Sequence, residues 1–503
     1  MHQAIRAGNA EIAKAISPID ICSHRRCARA CSRHSRPSLD YGILFRMKIQ
    51  RRDFLRGAAA AALVFPNLRA AAASPNGKVN MAFVGIGHQA GRDFSMFAYY
   101  KDIVNVVAFC DTQMGASHTL NTLKAFPDVP RYQDFRKMLD EHARDIDAVC
   151  IATPDFSHFP AAMLAMSMGK AVYCEKPMGN CFREIGLMVA AAKRHKVVTQ
   201  MGNQGHSDAN YWQMKAFVER GYIKDVTTIN AFMCANNRRW FKWKGVEMRE
   251  MPGEEAEPAE MDWDVWLSQR PFRPFNHNFI NGDWRCFYEY GTGALGDWGA
   301  HIFDAAHEFL KLGLPSKIET LKNDRRTNAV FPMASTIAYT FPSRGEGFPE
   351  CRLVWHDGAG NFPDLPKNVT DKKWRRKDYG AELYLKDGRV FARASHGSPL
   401  QLVAGGDPRD PAVKTAMRDY PRGKSGHYLN FLKAVRGEEP ANSDFAVAGP
   451  LSQVMALGAL AQRLAAPVLT FDREKQRFTD NEAANALLAG PPVRKGWEEF
   501  EKL

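Results

Sequence analysis

The chain has 503 residues, of which 45% are hydrophobic and 24% charged. That length exceeds one compact core, and the composition excludes a disordered, collagen-like or coiled-coil protein. The formal charge of +13 is concentrated at the start: residues 1–46 hold eight Lys/Arg against three Asp/Glu, and residues 47–73 hold five against one. The rest is close to balanced, so no nucleic-acid partner is expected. No run of 18 or more apolar residues occurs, so no stable membrane insertion is expected either.

Residues 47–73 carry the pair Arg51-Arg52 ahead of Phe54-Leu55, a short apolar run to Phe65, and an Ala-rich end. The run is too short to span a bilayer and ends in the small residues a signal peptidase needs. The segment resembles a twin-arginine signal peptide, which implies the twin-arginine export machinery as partner and a periplasmic or otherwise exported location. Such a signal normally lies at an N-terminus, so translation is expected to start at Met47, with residues 1–46 a non-native upstream extension. Cys22, Cys27 and Cys31 there fit no standard zinc spacing. No metal site and no disulfide framework are expected. Cys110, Cys150 and Cys174 fall in apolar runs and read as buried thiols.

From Lys78 strands and helices alternate, which predicts a doubly wound parallel sheet. Val79–Val84 runs into Gly85-Ile86-Gly87-His88-Gln89-Ala90-Gly91 and then a helical segment, a dinucleotide fingerprint with one extra residue before the last glycine. Gly85 suits the tight turn, and Gly87 lets backbone approach a pyrophosphate beside His88 and Gln89. A second strand, Val104–Cys110, ends at Asp111, 20 residues past Gly91. A carboxylate there bonds ribose hydroxyls and repels a 2′-phosphate, so NAD is favoured over NADP. Further strands are expected at Ala148–Ala152, Ala171–Cys174 and Val197–Met201. Helices are expected around Phe159–Met168 and Phe182–Arg194. Functional loops then follow the strand ends, at Thr153-Pro154-Asp155-Phe156-Ser157-His158, Glu175-Lys176-Pro177 and Gly202-Asn203-Gln204-Gly205-His206.

Taken with Gly293-Ala294-Leu295-Gly296-Asp297-Trp298-Gly299-Ala300-His301, these loops resemble the Gfo/Idh/MocA oxidoreductases over about residues 78–500. The likeness is to exported bacterial members above all. It implies an α/β protein with an N-terminal Rossmann domain (residues 77–202) and a second α/β domain (203–425) with an open, mostly antiparallel sheet that faces the nicotinamide and mediates homo-oligomers. Residues 426–503 are expected to be a helical segment packing back on both. By motif, Lys176 corresponds to the family's catalytic lysine, and Asp297 and His301 to its acid/base pair. Thr153, Pro154, His158, Glu175, Lys176, Asn203 and Gln204 join the cofactor contacts. Asp155 departs from the pattern, since many members carry Asn there.

Oxidising a sugar carbon requires its hydroxyl to lose a proton to a base within hydrogen-bond reach. Asp297 and His301 lie four apart, on one face of a helix, and histidine titrates near neutrality. His301 is therefore expected as base, with Lys176 polarising the hydroxyl, although the two could trade roles. Asp304 extends that face. Six of the ten tryptophans lie at 240, 243, 263, 266, 284 and 298, and aromatic faces stack on sugars. Trp284, Arg285 and Trp298 flank the Asp297 motif and are expected with His206 to contact substrate. Asn236-Asn237-Arg238-Arg239 could line the rim; Asp371–Asp378 reads as a solvated loop. The leading function is NAD-dependent hydride transfer to or from a sugar, glycoside or polyol. The alternatives are a redox-neutral, NAD-dependent glycoside hydrolase and a non-enzymatic cofactor-binding sensor. Replacing Arg51-Arg52 by Lys-Lys is predicted to leave precursor in the cytoplasm, measured by fractionation and intact mass. Unchanged export would remove the twin-arginine reading.

Overall fold

A computed structural model describes residues 77–235, 250–367, 369, 378–394, 398–407, 409, 411 and 425–503. The leader, Asn236–Arg239, Trp240, Trp243 and residues 371–377 of the charged loop lie outside the described residues. Six parallel strands form the first sheet: β1 (Val79–Val84), β2 (Val104–Cys110), β3 (Arg131–Tyr132), β4 (Ala148–Ile151), β5 (Ala171–Cys174) and β6 (Thr199–Met201). Their spatial order, β3-β2-β1-β4-β5-β6, is that of a dinucleotide-binding doubly wound sheet. The helices α1 (His88–Ala98), α2 (Leu120–Ala125), α3 (Phe135–Glu141), α4 (His158–Ser167) and α5 (Phe182–His195) connect the strands. VNMAFV, AVCI and AVYC are almost wholly buried, as strands covered by helices on both faces must be. All loops that follow these strands open at one edge, which is where the site lies.

After α6 (Ala209–Glu219), β7 (Val226–Met233) enters a nine-stranded sheet. It pairs in parallel with β10 (Cys351–Asp357) and antiparallel with β11 (Tyr379–Leu385). The other pairings, through β8 (Lys317–Asp324), β9 (Ala334–Phe341), β12 (Val390–Arg393) and β13 (Gln401–Ala404), are antiparallel. Between β7 and β8 lie the short α7 (Trp263–Leu267), then α8 (Gly293–Ile302) and α9 (Asp304–Phe309). The C-terminal segment is not purely helical. Besides α10 (His427–Val435), α11 (Phe445–Leu464) and α12 (Glu482–Ala489), it adds β14 (Val468–Asp472), which pairs with β8, and β15 (Arg477–Phe478). Helix α11 is long and apolar enough to cross a membrane, but 83% of its apolar window is buried in this fold. It is a core helix, tolerating Ser452, Gln453 and Gln462 in its buried set.

Residues 250–292 form an aromatic layer across the open edge of the first sheet. Trp263 stacks on Trp266, and Phe156, Phe275, Phe279, Phe287 and Tyr290 pack around them. Polar bonds pin the layer at both ends: Asp262 N–H donates to the Thr112 carbonyl at 2.8 Å, and Gln269 Nε2 to the Phe156 carbonyl at 2.7 Å. Arg270, 2% exposed, lies bidentate on Glu184 of α5 at 2.8 and 2.9 Å. A charge so dry needs its partner, because removing one member strands the other. Arg270→Met is predicted to cost about 3–5 kcal/mol of stability, read by denaturant unfolding. Arg270→Met with Glu184→Leu should recover most of that loss.

Candidate active site

The strand ends, the aromatic layer and α8 enclose a cavity of about 480 Å³. Its first half is the glycine loop. Gly85 has φ +87°, and a Cβ there would lie 2.6 Å from the Ala152 carbonyl oxygen. A Cβ on Gly87 would strike the His118 ring, which stacks on His88 at 4.9 Å. Helix α1 starts with no side-chain cap and no acidic residue in its first turn, so its leading N–H groups are open to an anion. At the end of β2, Asp111 Oδ2 accepts from Ile86 N–H at 3.1 Å and Oδ1 from Gln113 N–H at 3.0 Å. A fixed carboxylate, an uncapped helix start and a side-chain-free loop fit a dinucleotide.

The other half is built around a lysine. Lys176 leaves β5 and donates from Nζ to Asp297 Oδ1 at 2.6 Å and to the Asp297 carbonyl at 3.0 Å. Arg285 Nε lies 3.7 Å from the same Oδ1, with its guanidinium 4.2 Å over the Trp284 ring. Below them, burial pushes Glu175 far above the usual carboxylate range, with nearby Asp93 adding repulsion. Asp93 is raised to about 6 for the same first reason, although Tyr428 donates to it at 2.7 Å. Asp155, buried and bonded by Thr292 Oγ1 at 2.6 Å, is raised by burial to about 7. The site thus holds two cations on one carboxylate, with three dry acids nearby.

Of the residues expected from the sequence, Gly85, Gly87, His88, Gln89, Asp111, Thr153, Pro154, Glu175, Lys176, Trp284, Arg285 and Asp297 line this cavity. Six do not. His301 lies one helical turn beyond Asp297, edge-on to Trp298 at 5.9 Å, and Trp298 packs on Tyr379 at 4.6 Å. His158 is buried between the Pro177 and Thr153 carbonyls, and burial lowers it to about 4. Asn203 donates to Asp304, and Gln204 to Glu175, so both support the site from behind. His206 is completely buried on Asp304 at 2.9 Å, with Glu308 also near. It is an internal ion-pair partner that does not line the cavity, and Asp304 opens the helix that follows α8. The sequence reading missed Arg92, Gln113, His118, Trp266 and Asn281, which also line the cavity. The aromatic cluster signalled Trp266; nothing local signalled the others.

The fold and cavity define a dinucleotide-binding α/β protein with a lysine–carboxylate centre. Residues 79–203 match the Gfo/Idh/MocA model for the NAD-binding Rossmann fold of an oxidoreductase family, and residues 208–346 match that family's C-terminal alpha/beta domain. The chain belongs to the Gfo/Idh/MocA family. It is 26% identical over 141 residues to inositol 2-dehydrogenase of Salmonella typhimurium, covering 28% of this chain and 41% of the relative. It is 27% identical over 198 residues to glycosyl hydrolase family 109 protein 1 of a Shewanella species, covering 34% and 42%. The chain therefore spans less than half the length of these curated relatives. The fold is shared with the WlbA dehydrogenase of Chromobacterium violaceum, solved in complex with NADH and UDP-GlcNAcA. The TM-score is 0.53 at 16% identity, covering 78% of this chain and 96% of that one.

Proposed function

We propose that this chain is an exported NAD-dependent oxidoreductase acting on a hydroxyl-bearing carbon of a sugar, glycoside or polyol. The observation that carries the reading is the Lys176–Asp297 pair opening into the same cavity as the glycine loop. NAD, when bound, supplies the hydride acceptor. Asp111 favours it over NADP, because its carboxylate is fixed and would repel a 2′-phosphate. Trp284 carries the Arg285 guanidinium on its ring, and Arg285 offers a hydrogen-bonding fork to a sugar.

Lys176 holds the reacting hydroxyl, and Asp297 and Arg285 fix where its ammonium points. As the hydride leaves, the hydroxyl's proton passes to Lys176 Nζ while Nζ gives one of its own to the Asp297 carboxylate it already bonds. This moves the base from His301 to the pair. The aromatic layer excludes water from the reacting carbon. Val265 and Trp266 of that layer line the cavity with the glycine loop and would help retain a bound dinucleotide, which keeps the redox-neutral glycoside hydrolase open as a second reading. That enzyme turns over without added NAD, and the oxidoreductase does not.

Lys176→Ala is predicted to lower turnover by about 10²–10⁴-fold, and the Lys176→Ala/Asp297→Ala double variant by little more, since members of one unit are not additive. His301→Ala should lose less than about tenfold. Steady-state kinetics check all three. A double variant showing the product of two independent losses would mean that the two side chains act separately, and a His301 loss matching that of Lys176 would restore His301 as base.

A further inference from the structure

The cavity contains an acid that the proposed proton transfer leaves unused. Asp155 follows β4 in a single 3-10 turn, is 5% exposed, and shares the cavity with Lys176, Arg285 and Asp297. Among the described residues one side chain donates to it: Thr292, at the start of α8, to Oδ2. Burial disfavours the charged form of a carboxyl, and each donor aimed at it favours that form. The cations that face it, Lys176 from β5 and Arg285 from the turn before α8, both lie on Asp297, whose own charge repels it. His158, the next ionisable side chain on its own segment, is held neutral by burial against the pull of two carbonyls. Asp155 is therefore poised between a neutral acid and a carboxylate.

We propose that Asp155 makes the dinucleotide site selective for redox state: as a neutral acid it offers one donor and one acceptor without charge, and as a carboxylate it favours the cationic oxidised nicotinamide over the neutral reduced one. The inference rests on the reading that the nicotinamide lies beside Lys176. Burial raises Asp155 to about 7 despite Arg285 and Thr292, so the change falls within the working range of pH. By linkage, oxidised dinucleotide pulls the proton off Asp155, and an ionised Asp155 tightens oxidised dinucleotide by the same factor. His88 and His118 lie at the phosphate end, act alike on both redox forms, and cancel in the ratio of affinities.

The test is to titrate NAD+ and NADH into wild-type protein and Asp155→Asn from pH 5.5 to 8.5, following binding by calorimetry. In the wild type the ratio Kd(NADH)/Kd(NAD+) should rise about three- to tenfold across pH 7, the effect of one nearby charge in a partly dry site. In Asp155→Asn it should be flat. Melting without dinucleotide supplies a second readout. A carboxyl raised from 3.8 in the unfolded chain to about 7 when folded contributes stability that is present below pH 4 and lost as pH rises through 7. The Tm of Asp155→Asn minus that of wild type should therefore grow from pH 4 to 8. If melting titrates but the binding ratio stays flat, Asp155 ionises without meeting the nicotinamide and the proposal is overturned. A pH-dependent ratio that survives in Asp155→Asn assigns the effect to another group and also overturns it. Binding of neither nucleotide would overturn the oxidoreductase reading itself, and this inference with it.

Discussion

A lysine ammonium 13% exposed, at the end of a buried strand, must find an anion, and Asp297 is the anion it finds. The constraint joins the two halves of the fold, since Lys176 leaves the parallel sheet and Asp297 stands on α8, which packs beneath the second sheet. The pair is half-shielded and Arg285 shares the same carboxylate, so the lysine and the placement of α8 are one problem. Thr292, at the head of that helix, reaches back to Asp155. At its other end, Arg393 Nη2 donates to the His301 and Ile302 carbonyls at 2.6 Å each, which satisfies groups the helix leaves unpaired.

Around this pair the protein tolerates several dry acids, each through a particular arrangement. Glu175 fits because Gly202 brings no Cβ against it, and Gln204 donates to it at 2.9 Å. Asp93 on α1 takes bonds from Tyr428 and Gln89. The helix that starts at the glycine loop is thereby tied to the strand end that bears Lys176, so the phosphate-binding and proton-handling ends of the cavity share one polar network. Such networks rigidify a site when their members are satisfied. The aromatic layer completes the enclosure from above, held by Arg270 on Glu184.

Much of the first half was legible because its signals are local. An apolar run, a glycine turn and a strand-ending acid occupy consecutive positions, and Val104–Cys110 and Ala171–Cys174 form as strands over those same residues. Lys176 and Asp297 were legible through motif and chemistry, and the structure brings them into contact. His301 does not line the cavity although Asp297 does, because the i,i+4 rule fixes a face of the helix but not how far along that face the cavity reaches. His206 and Asn203 read as loop residues, yet burial and Asp304, about 100 positions away, make them internal. Histidine alone carries no sign of such a partner. His118 was invisible for a similar reason: only the close approach of Gly87 shows that its ring walls the glycine loop. The C-terminal segment looked helical because β14 and β15 are short, and β14 gains its identity by pairing with β8.

The central claim is that the Lys176 cavity reduces a bound nicotinamide at the expense of a carbohydrate hydroxyl. It is tested most directly by loading purified wild-type protein and Lys176→Ala with NAD, then mixing each with inositols, aldoses and glycosides and recording reduced-nicotinamide absorbance in a single turnover. The account predicts equal loading of both proteins, with reduction by one class of hydroxylic substrate in the wild type and none on the same timescale in Lys176→Ala. Reduction at the same rate in both proteins would contradict it.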